Sequence, residues 1–300
     1  VLGEGALDAD VAGANNTAIG NNSLTTLTSG GNNVAIGANS LKLNTEGSRN
    51  TAIGTDALDA LTTGSFNTAV GKDAMGANTT GHQNVAVGVS ALEANTTSFG
   101  NTALGKSALA SNTTASNNTA VGFNSLTANT TGHSNVAVGA DALDANTTAN
   151  NNTALGYNAA SGNTTGSNNL AVGFQALLVN TTGNQNTAIG SAALDANTTA
   201  NDNTAVGYLA ASANTTGSSN TALGVRALEV STTGDQNTAI GKDSLENNTT
   251  ASNNTAVGYF ALNANTTGSE NVAIGQDCLK SNTTAANNVA VGANALELNT

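Results

Sequence analysis

The chain has 300 residues and a formal net charge of −12, with seven Lys and Arg residues against 19 Asp and Glu residues. Charged residues make up 9% and aromatic residues 3% of the sequence, which contains no Pro and no Trp. This acidic balance excludes nucleic acid and anionic membrane surfaces as partners, because both require clustered cations. The scarcity of bulky apolar residues argues against a compact globule, and their fixed positions argue against disorder.

A 17-residue repeat runs through the sequence without insertion or deletion, and a glycine recurs at this interval from Gly3 to Gly292. Numbered from its first Asn, each unit reads N-[TV]-A-[VIL]-G-x-x-[AS]-L-x-x-N-T-T-[GA]-x-x, and we call these positions columns 1 to 17. Columns 6, 7, 10, 16 and 17 accept almost any residue, which indicates exposure to solvent. The strict period predicts the same structure in every unit.

The composition of the columns predicts an all-β fold, a parallel β-solenoid with one coil per repeat. Gly, Asn and Thr fill most of the uniform columns and are poor helix formers. We expect columns 1 to 5 to form a five-residue strand and columns 12 to 14 a second short strand, with glycines supplying positive φ at the corners. Identical columns then stack at about 4.8 Å.

We expect residues 1–300 to form one continuous array of about 17.6 coils without an internal domain boundary. At the spacing of parallel strands this array is a rod on the order of 80 Å long. The chain begins in column 3 and ends in column 13, so we also expect it to be cut from a longer array.

Stacking explains why column 1 is always Asn. A side-chain amide carries both donors and an acceptor, so Asn residues in successive coils can hydrogen-bond along the rod. Column 12 is expected to form a second ladder of this kind. A row of metal or ligand sites is the alternative, but neutral amides are weak ligands and no carboxylate column accompanies them. The predicted structural ladder comprises Asn16, Asn33, Asn50, Asn67, Asn84, Asn101, Asn118, Asn135 and Asn152.

Alternation along the strand predicts that columns 3 and 4 face opposite environments. Ala in column 3 and Gly in column 5 suit the interior of a narrow coil, which is closed by the column 9 leucines Leu58, Leu92, Leu109, Leu126 and Leu143. Column 4 is always Val, Ile or Leu, which a water-facing position does not require. We therefore predict that column 4 contacts other copies of the chain, most simply in a closed ring of parallel rods. This self-assembly face comprises Ile19, Ile36, Ile53, Val70, Val87, Leu104, Val121, Val138, Leu155, Val172, Ile189 and Val206.

The motif N-T-A-V-G-x-x-A-L, as in Asn254 to Leu262, resembles the head repeats of trimeric autotransporter adhesins. The N-T-T-G segment, as in Asn129 to Gly132, and the 17-residue period are similar to repeat arrays of phage tail-fibre-like and bacterial surface proteins. The resemblance covers essentially the whole chain. It implies a left-handed parallel β-roll, a homotrimer and an extracellular location on a cell-surface fibre or a virion tail fibre.

The sequence predicts a structural protein and not an enzyme. Two His, one Cys and scattered carboxylates supply neither a nucleophile with its base nor a paired acid and base. No cofactor is expected, and the buried position of column 8 predicts that Cys278 is a packed thiol. Acids coincide in columns 7 and 10 at Asp56 with Asp59, Asp141 with Asp144, and Asp243 with Glu246, which leaves calcium as a weak alternative to a solvated surface.

The expected function is the shaft or stalk of an extracellular fibre, formed by self-association and spacing an adhesive tip that would contact a cell-surface receptor or glycan. A second hypothesis is an adhesin whose variable columns themselves bind a receptor or glycan. A third is an ice-binding solenoid, which would use the threonines of columns 13 and 14; because these columns are adjacent, their side chains point to opposite faces and give one exposed row.

Overall fold

The computed structural model of the protein describes residues 2–9 and 12–299. The chain forms two compact units, residues 1–151 and residues 152–300. Each unit is a stack of coils with one short strand per repeat, and no described residue is helical. Both units are therefore parallel β-solenoids, which confirms the predicted fold class. A single array running through residues 1–300 stays a prediction.

Every coil from Asn16 onward contributes one strand of three residues, from columns 2 to 4 of its repeat. The first unit contains β1 (Thr17–Ile19), β2 (Val34–Ile36), β3 (Thr51–Ile53), β4 (Thr68–Val70), β5 (Val85–Val87), β6 (Thr102–Leu104), β7 (Thr119–Val121) and β8 (Val136–Val138). The second contains β9 (Thr153–Leu155), β10 (Leu170–Val172), β11 (Thr187–Ile189), β12 (Thr204–Val206), β13 (Thr221–Leu223), β14 (Thr238–Ile240), β15 (Thr255–Val257), β16 (Val272–Ile274) and β17 (Val289–Val291).

Consecutive strands within each unit pair in parallel and in register with the repeat. Ala18 pairs with Ala35 and Ala35 with Ala52 in the first unit, and Ala171 pairs with Ala188 in the second. Because each partner lies 17 residues further along the chain, residues of one column lie directly above one another. The stacking of columns follows from the pairing of a single strand per coil.

Positive φ angles on both sides make each strand shorter than the five residues predicted. Before β3, Arg49 in column 17 has a φ of 58°, and after it Gly54 in column 5 has a φ of 138°. Both values lie outside the β region, so neither residue continues an extended strand. Asn50 in column 1 also lies outside β3, so the prediction of a five-residue strand is wrong at both ends.

The second predicted strand, in columns 12 to 14, is absent from the described residues, which form bends there. The backbone N–H groups of Thr45 and Glu46 both donate to the carbonyl of Thr62 in the next coil, at 2.9 and 3.2 Å. A parallel ladder requires alternate residues to bond to different partners on the adjacent strand. Two consecutive donors on one carbonyl make a stacked corner instead of a strand.

Overlapping turns connect each strand to this corner. In the second coil Ser40 N–H donates to Gly37, and Asn44 N–H donates to Leu41, each closing a four-residue turn. Glycine supplies the positive φ throughout column 5, whereas columns 7, 9 and 17 adopt it mostly with other residues. Leu58 in column 9 has a φ of 51° and is fully buried. Left-handed backbone costs about 1–2 kcal/mol, and burying a leucine contributes about 1.5–3 kcal/mol, so burial offsets the strain.

The interior of each coil combines small apolar side chains with amides. Ala69 in column 3 and Ala74 in column 8 are fully buried, as are the asparagines of columns 1 and 12 in the same coil, Asn67 and Asn78. The column 9 leucines Leu58, Leu92, Leu109, Leu126 and Leu143 all have exposed fractions of 0%. Because buried amides share the interior with the apolar side chains, hydrogen bonds between coils contribute to its stability along with apolar contacts.

Candidate functional surfaces and the amide ladders

The column 1 asparagines form the predicted ladder, although its principal rung joins a side chain to the backbone. The Oδ1 atom of Asn33 accepts the backbone N–H of Asn50 at 2.9 Å and the Nδ2 of Asn50 at 3.2 Å. The Nδ2 of Asn33 also donates to the carbonyl of Gly47 in its own coil at 2.9 Å. Each side-chain amide thus makes hydrogen bonds both within its own coil and to the next coil. Asn33, Asn50, Asn67, Asn84, Asn101, Asn118, Asn135 and Asn152 are buried, and Asn16 is half-buried.

Column 12 forms the second ladder, in which amide bonds directly to amide. The Nδ2 of Asn95 donates to the Oδ1 of Asn78 at 3.0 Å, and the Nδ2 of Asn112 donates to the Oδ1 of Asn95 at 3.2 Å. The Oδ1 of Asn78 also accepts the backbone N–H of Gly81 at 3.1 Å. The same side chain therefore closes its own corner and joins neighbouring coils.

A third ladder, in column 13, was missed by the sequence reasoning. The hydroxyl of Thr62 donates to the backbone carbonyl of Thr79 at 3.0 Å, and the hydroxyl of Thr79 donates to the backbone carbonyl of Thr96 at 3.1 Å. The near-uniform Thr of this column was the available signal. The next residue in each coil, in column 14, is also Thr from Thr63 to Thr284, but it is exposed and its hydroxyl makes no hydrogen bond within the described residues.

Columns 2 and 4 form the outer strand face, an apolar stripe along each unit. No Asp, Glu, Lys or Arg occurs in columns 1 to 5 of any repeat. The exposed fraction of the column 4 side chain is 45% at Leu104 in the first unit and 45% at Leu223 in the second. Of the predicted self-assembly residues, Ile19, Ile53, Leu104, Val138 and Leu155 are exposed, and Ile36, Val70, Val87, Val121, Val172, Ile189 and Val206 are half-buried. Their contact with another chain stays a prediction.

An acidic groove lies beside the turns of the first unit, where Gly76 leaves a gap in column 10. The groove has a volume of about 570 Å³ and is lined by the carboxylates of Asp56, Asp59, Asp73 and Glu93. Partial burial, and then the charges of Asp56 and Asp73, hold the pKa of Asp59 above its ordinary value. Within the described residues, no group of three or more His, Cys, Asp or Glu side chains is arranged to hold a metal ion.

In each of the other two acid pairs noted in the sequence at least one carboxylate has a protein partner, although the buried Oδ1 atom of Asp144 makes no hydrogen bond within the described part of the chain. In the second unit, Arg226 forms ion pairs with Asp243 at 2.8 Å and with Glu246 at 3.2 Å. In the first, the amide of Asn124 donates to Asp141 at 3.2 Å. Cys278 is buried, and burial raises the pKa of its thiol. These groups serve the stacking of coils.

No protein-family model matches the sequence, and no curated protein is significantly similar to it. Among residues 2–9 and 12–299 there is also no helix with the length and apolar character needed to cross a bilayer.

Proposed function

We propose that the protein is a structural shaft segment of an extracellular fibre, built by parallel association of several copies, with a homotrimer of left-handed β-rolls as its assembly. The similarity of its repeats to those of trimeric adhesins and phage-type fibres supports this proposal. The adhesive activity of such a fibre would belong to its tip, and the repeats would supply stiffness and length.

The uncharged outer strand face is the observation that carries the proposal. Val89 in column 6 and Leu104 in column 4 have the same exposed fraction, 45%. Column 6 nevertheless accepts Lys72, Lys106 and Lys242, whereas column 4 accepts only Val, Ile or Leu. Water alone does not impose such a restriction, because scattered surface positions tolerate either kind of residue. A second copy of the same stripe would impose it.

Parallel association fits the repeat geometry. Stripes of identical register, repeated at about 4.8 Å, can meet along their whole length without a charge being buried. No acid lies in columns 1 to 5, and among the described residues the acids other than Asp243 keep contact with water, where they keep the assembly soluble. In a threefold arrangement each column 4 side chain would meet its two symmetry copies at the axis.

The test is the mass of the whole chain in solution, measured by light scattering, for the unchanged protein and for Leu104→Lys. We expect three times the 29.2 kDa of one chain for the unchanged protein. Leu104→Lys would place unpaired ammonium groups in a dry axis, which costs several kcal/mol. We therefore expect this variant to dissociate while circular dichroism retains its β signal.

Val89→Lys is the matched control, because this residue has the same exposed fraction of 45% and its column already holds Lys72 and Lys106. It should leave the mass unchanged. An unchanged protein that is already monomeric, or a Leu104→Lys variant with the mass of the unchanged protein, would refute the shaft proposal.

The free threonine rank of column 14 supports a second candidate, ice binding. The hydroxyls of column 13 are used within the fold, but those of column 14, such as Thr80 and Thr97, are exposed at the regular spacing of the coils. Thermal hysteresis of the purified protein tests this candidate. If this row of threonines binds ice, the double variant Thr80→Lys, Thr97→Lys should lose the thermal hysteresis at an unchanged melting temperature. An absence of thermal hysteresis in the unchanged protein would reject ice binding.

A further inference from the structure

Among the Phe and Tyr side chains of the described residues, Tyr208 alone contacts neither another ring nor a cation. With an exposed fraction of 53% it is also the most exposed of them. The other rings are partnered, as Phe66 is by Arg49, Phe99 by His82, Phe123 by Lys106, Tyr157 by Phe174, and Tyr259 by Phe260 and Lys242. An unpartnered ring in water is the feature that a stacking ligand would use.

Column 6 of the second unit shows how such rings are oriented. Tyr157 and Phe174, one coil apart, stack with their centroids 5.9 Å apart and their planes 18° from parallel. Rings in this column therefore face one another along the stack of coils. Phe174 is still 52% exposed although one of its faces is covered by Tyr157, so its opposite face is open.

Ser191 occupies column 6 between Phe174 and Tyr208. Backbone hydrogen bonds from Ala192 to Phe174 at 2.9 Å and from Leu209 to Ser191 at 3.1 Å place the three column 6 residues in successive coils. Because serine is too short to cover either ring, it leaves a slot two coils wide, about 9.6 Å. Stacked rings have centroids about 4.5–7 Å apart, so a slot of this width accepts one six-membered ring between the two aromatic faces.

We propose that the slot formed by Phe174, Ser191 and Tyr208 binds one pyranose ring of a neutral glycan. A sugar ring offers C–H groups on both faces, which suits two aromatic walls, and hydroxyls at its edge, which suit the Ser191 and Tyr208 hydroxyls. Asp195 lies in the same coil as Ser191. Arg226 donates its backbone N–H to the Tyr208 carbonyl at 2.9 Å. Its guanidinium is paired with Asp243 and Glu246 of the following coil. The charge around the slot therefore disfavours acidic sugars.

The proposal does not depend on self-association, and its test separates the two. Calorimetric titration of the whole chain would use maltohexaose, cellohexaose, chitohexaose and mannohexaose as neutral probes and polygalacturonate as the anionic one. We expect saturable binding of at least one neutral probe and none of polygalacturonate. Tyr208→Ala and Phe174→Ala should each weaken that binding by about tenfold or more. Light scattering should give the same mass for all variants.

Ser191→Phe is the sharpest variant, because it fills the slot with a ring that column 6 already accepts at Phe123 and Phe174. It should abolish binding, whereas Val89→Phe, the same kind of change in column 6 of the first unit, should leave binding intact. In the double variant Tyr157→Phe, Tyr259→Phe, Tyr208 is the only tyrosine. Binding of the neutral probe should therefore also change the tyrosine fluorescence of this variant.

Four outcomes would overturn the proposal. The first is that no neutral probe binds at millimolar concentration, and the second is that binding survives Ser191→Phe. The third is that polygalacturonate binds as strongly as the best neutral probe, and the fourth is a lower mass of the Tyr208→Ala variant. The last outcome would assign the slot to a second copy of the chain.

Discussion

The Oδ1 atom of Asn50 accepts the backbone N–H of Asn67, one coil further along, at 2.9 Å. Asn67 repeats the arrangement toward the next coil, since its own Oδ1 accepts the backbone N–H of Asn84 at 3.1 Å. Each side chain supplies the acceptor for a backbone donor that has no place in the three-residue strand. Column 1 thereby continues the bonding between coils where the strand ladder stops.

Asn67→Asp should destabilise the protein by about 3 kcal/mol or more. The change keeps the shape but removes the Nδ2 donor to the Gly81 carbonyl at 2.8 Å and buries a carboxylate beside oxygen acceptors. Chemical denaturation measures the free energy of unfolding. Asn117→Asp, at an exposed column 17 position with a φ of 63°, is the control and should be nearly neutral, because Asp tolerates this backbone. Equal losses for the two variants would contradict a structural role of the ladder.

Gly54→Ala should be strongly destabilising, whereas Gly76→Ala should not. Gly54 has a φ of 138°, and a Cβ atom there would lie 2.5 Å from the carbonyl oxygen of Gly71 in the next coil. Gly76 does not adopt positive φ, and the nearest atom to its Cβ would be Asp59 Oδ1 at 3.5 Å. We expect a loss of more than about 3 kcal/mol for the first and a change within about 1 kcal/mol for the second. Thermal melts of both variants measure this difference in stability. Similar melting temperatures for the two variants would contradict the close stacking of column 5.

Asp59→Asn should raise the melting temperature at pH 7 by more than at pH 3. The pKa of Asp59 is held above its ordinary value of 3.8, first by burial and then by Asp56, so the folded chain binds its proton more readily than the unfolded chain. Stability therefore increases as pH falls through the raised pKa, and the penalty on the charged form is gone below the ordinary value. Asn removes that penalty at every pH.

The control for this experiment is Asp202→Asn, which removes a charge at an exposed position in column 17. It should change the melting temperature little at either pH. A gain for Asp59→Asn that is as large at pH 3 as at pH 7 would show that charge is not its cause.

Passage through a eukaryotic secretory pathway should prevent folding. The Asn-Thr-Thr segments of columns 12 to 14 are acceptor sequences for N-glycosylation, and their asparagines, such as Asn78 and Asn129, are fully buried. A glycan attached before folding cannot be accommodated in the ladder. We expect native circular dichroism for protein made in the bacterial cytosol and retained or misfolded protein from mammalian cells.

Changing every column 14 Thr of these segments to Val tests the reason for this failure. The substitution removes the acceptor sequence, and these side chains are exposed and without intramolecular bonds, so the ladder is unaffected. Secretion should recover. Fully glycosylated protein that is secreted with a native spectrum would contradict the burial of column 12.

The sequence alone determined the period, the single coil per repeat, the inward column 3 alanines and the existence of the Asn ladders. A uniform column reports that its positions share one environment, and alternation along a strand separates inside from outside. Ala69 and Asn67 could therefore be placed in the interior from the pattern alone. The same logic singled out column 4, because Leu104 and its equivalents are restricted more than contact with water demands.

Only the tertiary structure decided the backbone conformation and which groups contact one another between coils. The left-handed φ of Leu58 could not be predicted, because local preference opposes it and only burial in the stacked coil offsets the cost. The replacement of the second strand by a corner depends on Thr45 and Glu46 sharing one carbonyl, which no column composition reveals. The slot beside Tyr208 likewise follows from the stacking of Tyr157 on Phe174, since the orientation of a ring is set by contacts between coils and not by its place in the repeat.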